Sequence, residues 1–153
     1  MSKALVIIKS AGIGDLTIHI SSIHAISRKI GSPVTVLAQS NTRAKAIFKH
    51  DPHIKEIIEL DKSEVKKIFS IIKNIKSRNF EQCYIYSDSL RLFLISKFAG
   101  IKKIFHYSFF SKKGKNFSKT IKEFTEKVLG TKINPQSKIY YNNEEAEKNK
   151  KKY

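Results

Sequence analysis

Ala4-Leu5-Val6-Ile7-Ile8-Lys9-Ser10-Ala11-Gly12-Ile13-Gly14-Asp15 is an apolar run that ends in a glycine-bearing turn. A short, almost wholly apolar stretch over residues 4–9 is what a strand buried on both faces requires. The turn then opens a predicted helix from about Asp15 to Ile30. Its Leu16, Ile20, Ile23 and Ile30, with Ile26 nearby, recur at helical spacing. Gly31 closes the helix where a left-handed C-terminal cap is expected.

The same alternation continues along the chain. Residues 33–38 read as a second strand, 42–49 as a short helix, and Lys55 to Leu60 as a third strand. Ser63 is placed to cap a helix reaching about Arg78, with Val65, Ile68, Ile72 and Ile75 inward and lysines outward. Gln82 to Tyr86 form a fourth strand, Asp88 to Ala99 a helix stopped by Gly100, and 103–107 a fifth strand. After a basic loop from Ser111 to Asn116, Phe117, Ile121, Phe124 and Val128 give another amphipathic helix, ended by Gly130. Ser137 to Tyr141 read as a last strand. Alternating strands and helices joined by short connections imply a Rossmann-like α/β fold, a parallel sheet with helices on both faces. Residues 1–141 are expected to form this domain. Residues 142–153 (NNEEAEKNKKKY) have no apolar stripe and read as a polar linker or the start of a further domain.

Composition supports one packed domain, because 41% hydrophobic content over 153 residues suffices for a core. The N-terminal apolar run is too short for a signal peptide, and no stretch approaches the roughly 20 apolar residues of a membrane span. A single cysteine, Cys83, excludes an internal disulfide and fits a reducing cytoplasm. Charge is the unusual quantity: 30 Lys and Arg against 13 Asp and Glu leave +17. From Arg91 to Lys122 there are nine basic residues and no carboxylate. Such a field favours polyanions: nucleic acid, an anionic membrane or a phosphorylated substrate. The cations are mostly lysine, which suits phosphate contact and solvation better than readout of bases.

The turn after the first strand carries the chemistry. Glycines at 12 and 14 allow close backbone approach to a ligand at a helix N-terminus, where free N–H groups attract anions. A dinucleotide site would need a third glycine where Thr17 stands, and an acidic residue about twenty positions on, in the stretch Leu37 to Asn41. Both are missing, as is a P-loop. Asp15 follows the second glycine instead. It can serve as a helix cap, or it can face the crevice beyond the strand ends and act as a general base toward a hydroxyl.

Lys9 to Leu16, with Ile23-His24-Ala25-Ile26, resembles the opening of glycosyltransferase family 9, which includes the heptosyltransferases of the lipopolysaccharide inner core. Asp51-Pro52-His53-Ile54-Lys55-Glu56-Ile57-Ile58-Glu59-Leu60-Asp61, Ser89-Leu90-Arg91 and Phe98-Ala99-Gly100 match further stretches in order, over roughly residues 4–130. The resemblance implies the N-terminal, acceptor-side half of a two-domain GT-B enzyme. Asp15 matches the aspartate that deprotonates the acceptor hydroxyl, with inversion at the donor's anomeric carbon and no required metal or cofactor. The donor, a nucleotide sugar such as ADP-heptose, would be bound mainly by a separate or downstream domain. The acceptor would be an anionic glycolipid of the lipid A/Kdo kind, with peripheral contact to the inner membrane. Lys9, Gly12, Gly14 and Arg91 match acceptor-side positions, and Lys62, Lys112 and Lys113 lie in loops expected at the same edge.

The chain departs from the family pattern at Ser21, where proline is common, and at Ile18, where histidine is frequent. His19 stands one position off and takes no role from the resemblance. Ile85-Tyr86-Ser87-Asp88 replaces an Asp-x-Gln-Gly stretch. His24 reads as structural, His50, His53 and His106 lack metal-ligand spacing, and Cys83 reads as inert. Phe105, Tyr107, Phe109 and Phe110 read as core. Two alternatives stand beside the transferase half: a basic module for nucleic acid or membrane, and an inactive remnant of the enzyme.

Overall fold

A computed structural model describes residues 3–9, 13–61, 67–107, 117–133 and 138–140. Five parallel strands, β1 (Ala4–Ile8), β2 (Val34–Gln39), β3 (Ile54–Leu60), β4 (Gln82–Tyr86) and β5 (Lys103–His106), form one sheet in the order β3-β2-β1-β4-β5. The apolar run of the opening stretch is the central strand. Leu5 to Ile8 pair in register with Thr35 to Ala38 on one side, and Ala4 to Ile8 with Gln82 to Tyr86 on the other. All five β1 residues are buried, as a strand with a neighbour on each edge and helices on each face must be.

Helices α1 (Ile13–Ile18), α2 (Ile20–Ile30), α3 (Ala44–Ile47) and α6 (Phe117–Leu129) cover one face. There Val6, Ile8, Val36 and Tyr84 meet Leu16, Ile20, Ile23, Ile26, Ile121 and Phe124. Helices α4 (Ile68–Lys76) and α5 (Leu90–Phe98) cover the other, where Leu5, Ile7, Leu37 and Ile85 meet Ile71, Ile75 and Ile95. Gly31, Gly100 and Gly130 have φ of 72°, 85° and 67°, so each takes the left-handed turn that ends a helix. Cys83 is buried in β4 with its Sγ 3.7 Å from Ser96 Oγ, and burial pushes its thiol up to about 12, so it is a poor nucleophile. Phe105 and Tyr107 pack against the core; Phe109 and Phe110 lie outside the described residues.

Three expectations are corrected. The continuous helix from Asp15 to Ile30 is two helices broken at His19. The His19 imidazole Nδ1–H donates to the Asp15 carbonyl at 2.7 Å, occupying the acceptor that the residue's own N–H would use. That N–H goes instead to Leu16 O at 3.0 Å, a tighter turn. The short helix at 42–49 is a 3-10 turn, Ser40–Thr42, followed by the four-residue α3, with Arg43 in the left-handed region between them. Residues 138–140 form no strand: Tyr140 lies edge-on against His24 and His53, with ring centroids 5.8 and 6.1 Å away, instead of joining a sheet edge. Helix α4 begins at Ile68, and the expected Ser63 cap lies outside the described residues.

Three buried hydroxyls inside this core satisfy one another, whereas the buried His19 Nε2 has no hydrogen-bond partner among the described residues. Thr125 Oγ1 of α6 lies 2.7 Å from the Tyr86 hydroxyl of β4, 2.9 Å from Ser22 Oγ of α2 and 2.8 Å from the Ile121 carbonyl. All of these hydroxyls are buried, so the cluster ties α2, α6 and β4 together. Thr125→Val would leave the Tyr86 and Ser22 hydroxyls buried without this partner. We expect it to lower unfolding free energy by about 1–3 kcal/mol in urea titration, and an unchanged midpoint would show that the cluster adds no stability.

Candidate functional site at the carboxyl edge of the sheet

Strand order reverses between β1 and β4. From β1 the chain passes to α1 and α2 on one face; from β4 it passes to α5 on the other. A crevice opens beyond the carboxyl ends of two strands whose connections part in this way, which is where ligands bind in open α/β sheets. Lys9 follows β1 at this edge and is exposed. Ser87, Asp88 and Ser89 follow β4, and Arg91 is exposed in the first turn of α5.

A cleft of about 80 Å³ lies here, lined by Ile7, Ile8, Lys9, Leu37, Gln39, Leu60, Ile71, Ser89, Arg91 and Leu92, among others. Its walls are mostly aliphatic, with Lys9, Arg91, Gln39 and Ser89 as the polar groups. The fold therefore brings together Lys9 and Arg91, two cations suited to a phosphate or carboxylate, one a point charge and the other a planar fork. Asp15 is not part of this lining. It sits half-buried in α1, at the same edge of the sheet but on the α2 side. Because α1 begins at Ile13, Asp15 falls inside the first turn and not at the cap; there its charge complements the helix dipole. Gly12, Lys62, Lys112 and Lys113 lie outside the described residues.

Gly14 bears on what the turn is for. A Cβ built at Gly14 meets no protein atom within 4 Å, and Gly14 is not among the glycines with positive φ. Neither backbone conformation nor packing within the described residues requires a glycine here. A helical glycine costs up to about 1 kcal/mol relative to alanine. Gly14→Ala is therefore expected to raise thermal stability by up to about 1 kcal/mol; a clear loss would show that the chain itself needs the glycine.

Two histidines hold the loops of this edge. His106, at the end of β5, is buried, and its Nε2–H donates to the Ser89 carbonyl at 3.2 Å, while Phe93 lies 5.5 Å from its ring. Ser87 Oγ accepts the Ser89 N–H at 3.1 Å, which tightens the turn that delivers Arg91. Sequence reasoning weighed His106 only as a metal ligand; its place at a strand end beside a serine-rich turn was the available signal. His19 similarly fixes the end of α1 through the Asp15 carbonyl, and its ring packs edge-on to Tyr86 at 5.2 Å. Among the described residues, no group of three or more His, Cys, Asp or Glu side chains gathers as a metal site.

The Asp51-Pro52-His53 stretch lies at the opposite end of the sheet, before β3. His24 Nε2 is 2.6 Å from Asp51 Oδ2, and both side chains are buried. Asp51 Oδ1 accepts the His53 N–H at 2.9 Å, and His53 Nδ1 meets Ser27 Oγ at 3.2 Å. This cluster fastens the middle of α2 to the loop entering β3, far from the crevice, so His24 is structural.

Neither a protein family nor a curated protein matches the sequence. Solved structures do match the fold. A glycosyltransferase family 9 protein from Veillonella parvula aligns with TM-score 0.71 and 12% identity, covering 98% of this chain and 48% of that one. The chain has the fold of part of a glycosyltransferase. E. coli heptosyltransferase WaaC, solved with ADP-2-deoxy-2-fluoro heptose, aligns with TM-score 0.61 and 11% identity over 88% of this chain and 50% of its own. E. coli ADP-heptose lipopolysaccharide heptosyltransferase II gives TM-score 0.52 and 19% identity over 67% of this chain and 29% of its own. The chain thus spans half or less of the length of each of these three structures.

Burial lowers the His19 imidazole from the usual 6.5 to about 4, against smaller opposing effects of Asp15. His19 is therefore neutral in the fold and protonates first in the unfolded chain. Its contribution is constant above about pH 6.5 and falls as pH drops toward 4, by on the order of 3 kcal/mol in all. Burial lowers His53 and His106 in the same direction. His19→Asn keeps a donor for the Asp15 carbonyl but cannot protonate. Urea unfolding between pH 7 and pH 4.5 should show a shallower loss in this variant than in the parent chain; equal slopes would assign the loss to other groups.

Proposed function

We propose that this chain is the acceptor-side, N-terminal half of a glycosyltransferase of the family 9, heptosyltransferase-like kind. The observation that carries the reading is the position of Asp15. The one carboxylate of the glycine turn falls in the first helical turn beyond the central strand, in a fold that matches glycosyltransferase structures over most of this chain. In this reading Asp15 accepts the proton of an acceptor hydroxyl as that oxygen attacks the anomeric carbon of a nucleotide sugar. The configuration there inverts and the nucleoside diphosphate leaves. A second domain, on the same polypeptide or a separate one, supplies most of the donor site.

Lys9 and Arg91 in the cleft hold phosphate or carboxylate groups of an anionic glycolipid acceptor, and Lys62, Lys112 and Lys113, which the sequence leads one to expect at the same edge, add to that charge. Gly12 and Gly14 leave room for the acceptor to approach the backbone. The aliphatic walls of the cleft suit the non-polar faces of sugar rings or the root of a lipid. Pairing the chain with its donor domain and following sugar transfer tests the assignment. Asp15→Asn is expected to cut kcat by at least about 10²-fold with an unchanged circular dichroism spectrum. Near-normal turnover would reduce Asp15 to a helix-dipole partner and sink the general-base reading.

A further inference from the structure

The helices on the cleft side of the sheet present an apolar surface that the core does not use. On α5, Leu90, Leu94 and Phe98 are 65%, 42% and 70% exposed and recur every four residues, so they form one stripe along the helix. Arg91 and Lys97 are exposed too. At about 100° per residue they fall on opposite flanks of that stripe. On the adjoining α4, Phe69 is 88% exposed, and the exposed Lys73 and Lys76 lie on the same side of that helix. Neither helix carries a carboxylate.

Single exposed apolar residues are ordinary, but a line of three with an aromatic on the next helix marks an interaction surface. The flanking cations select its occupant. Long basic side chains beside an apolar stripe can lay their stems on it and reach outward with their charges, as in helices that lie in a membrane interface. An anionic headgroup layer above acyl chains satisfies both parts at once. We propose that the α4–α5 face docks on an anionic bilayer, with Leu90, Leu94, Phe98 and Phe69 entering the headgroup–acyl boundary and Arg91 and Lys97 meeting lipid phosphates. Arg91 also lines the cleft, so the cleft would open near headgroup level and give a lipid-linked acceptor a short path into it. That last consequence rests on the transferase reading; the docking itself does not.

The chain contains no tryptophan, so Phe98→Trp places a single emitter on the stripe. The full 153-residue chain is mixed with phosphatidylethanolamine–phosphatidylglycerol vesicles, with neither glycolipid nor nucleotide sugar present, so the outcome is separate from that of any transfer assay. The emission of Phe98→Trp should shift to the blue and be quenched by brominated acyl chains. The double change Leu94→Ser and Phe98→Ser should weaken co-sedimentation at least about tenfold, since two large apolar side chains no longer insert. Both positions are exposed, so the thermal melt should hold. Lys119→Ser on α6, across the sheet, should bind like the parent chain. Sedimentation with no blue shift or quenching, or equal binding by the double serine variant, would mean attraction by net charge alone and would overturn the proposal. A blue shift without vesicles, together with a dimer in ultracentrifugation, would assign the face to a second copy and overturn it equally.

Discussion

A central strand paired in parallel on both edges constrains the rest of this molecule. Each β1 residue from Leu5 to Ile8 has a partner in both β2 and β4, and none is more than about 1% exposed. A parallel pair cannot be closed by a hairpin, so every connection must cross a face of the sheet, and both faces of β1 need cover. The chain meets that demand by winding outward from β1 twice, with α1, α2 and α3 over one face and α4 and α5 over the other. The reversal leaves the crevice between the ends of β1 and β4. The candidate site is thus a consequence of how a doubly buried strand must be covered.

Helix α2 carries the polar attachments that steady this arrangement. Near its start, Ser22 joins Thr125 and Tyr86 in a buried hydroxyl cluster. In its middle, His24 is fixed to Asp51, and through it to the loop that enters β3. Each group is buried with partners, so these contacts set the position of α2 at little desolvation penalty. The break at His19 belongs to the same scheme. It ends α1, whose first turn holds Gly14 and Asp15, before the eleven-residue α2 begins.

Much of the architecture was legible in the residues. The unbroken apolar run of β1, the helical spacing of Leu16, Ile20, Ile23 and Ile26, and the glycines at 31, 100 and 130 are local signals of backbone state, and the structure keeps them. The break at His19 was not legible, because it depends on one imidazole reaching a carbonyl, which no periodicity encodes. The expected strand over Ser137 to Tyr141 failed in its described part for a related reason. Alternating residues suit a strand, but Tyr140 has aromatic partners in His24 and His53 that only the folded chain supplies. The Asp51-Pro52-His53 stretch read as one more piece of a resemblance, and the fold gives it a purely structural task at the end of the sheet away from the crevice.

By itself the sequence determined the order and kind of the elements and placed a carboxylate just past the first strand, because turns, caps and amphipathic spacing act over a few residues. Only the tertiary structure decided which distant groups share a site. It set Lys9 and Arg91 in one cleft, and put Asp15, close to Lys9 along the chain, on the other side of the edge. It also decided which side of α5 faces water. That helix, LRLFLISKF, is apolar nearly all round, so no pattern in it marks an outer face. Packing against β4, β5 and α4 buries Ile95 and Ser96 and leaves Leu90, Leu94 and Phe98 outside, because a helix against a sheet can cover only one side of itself.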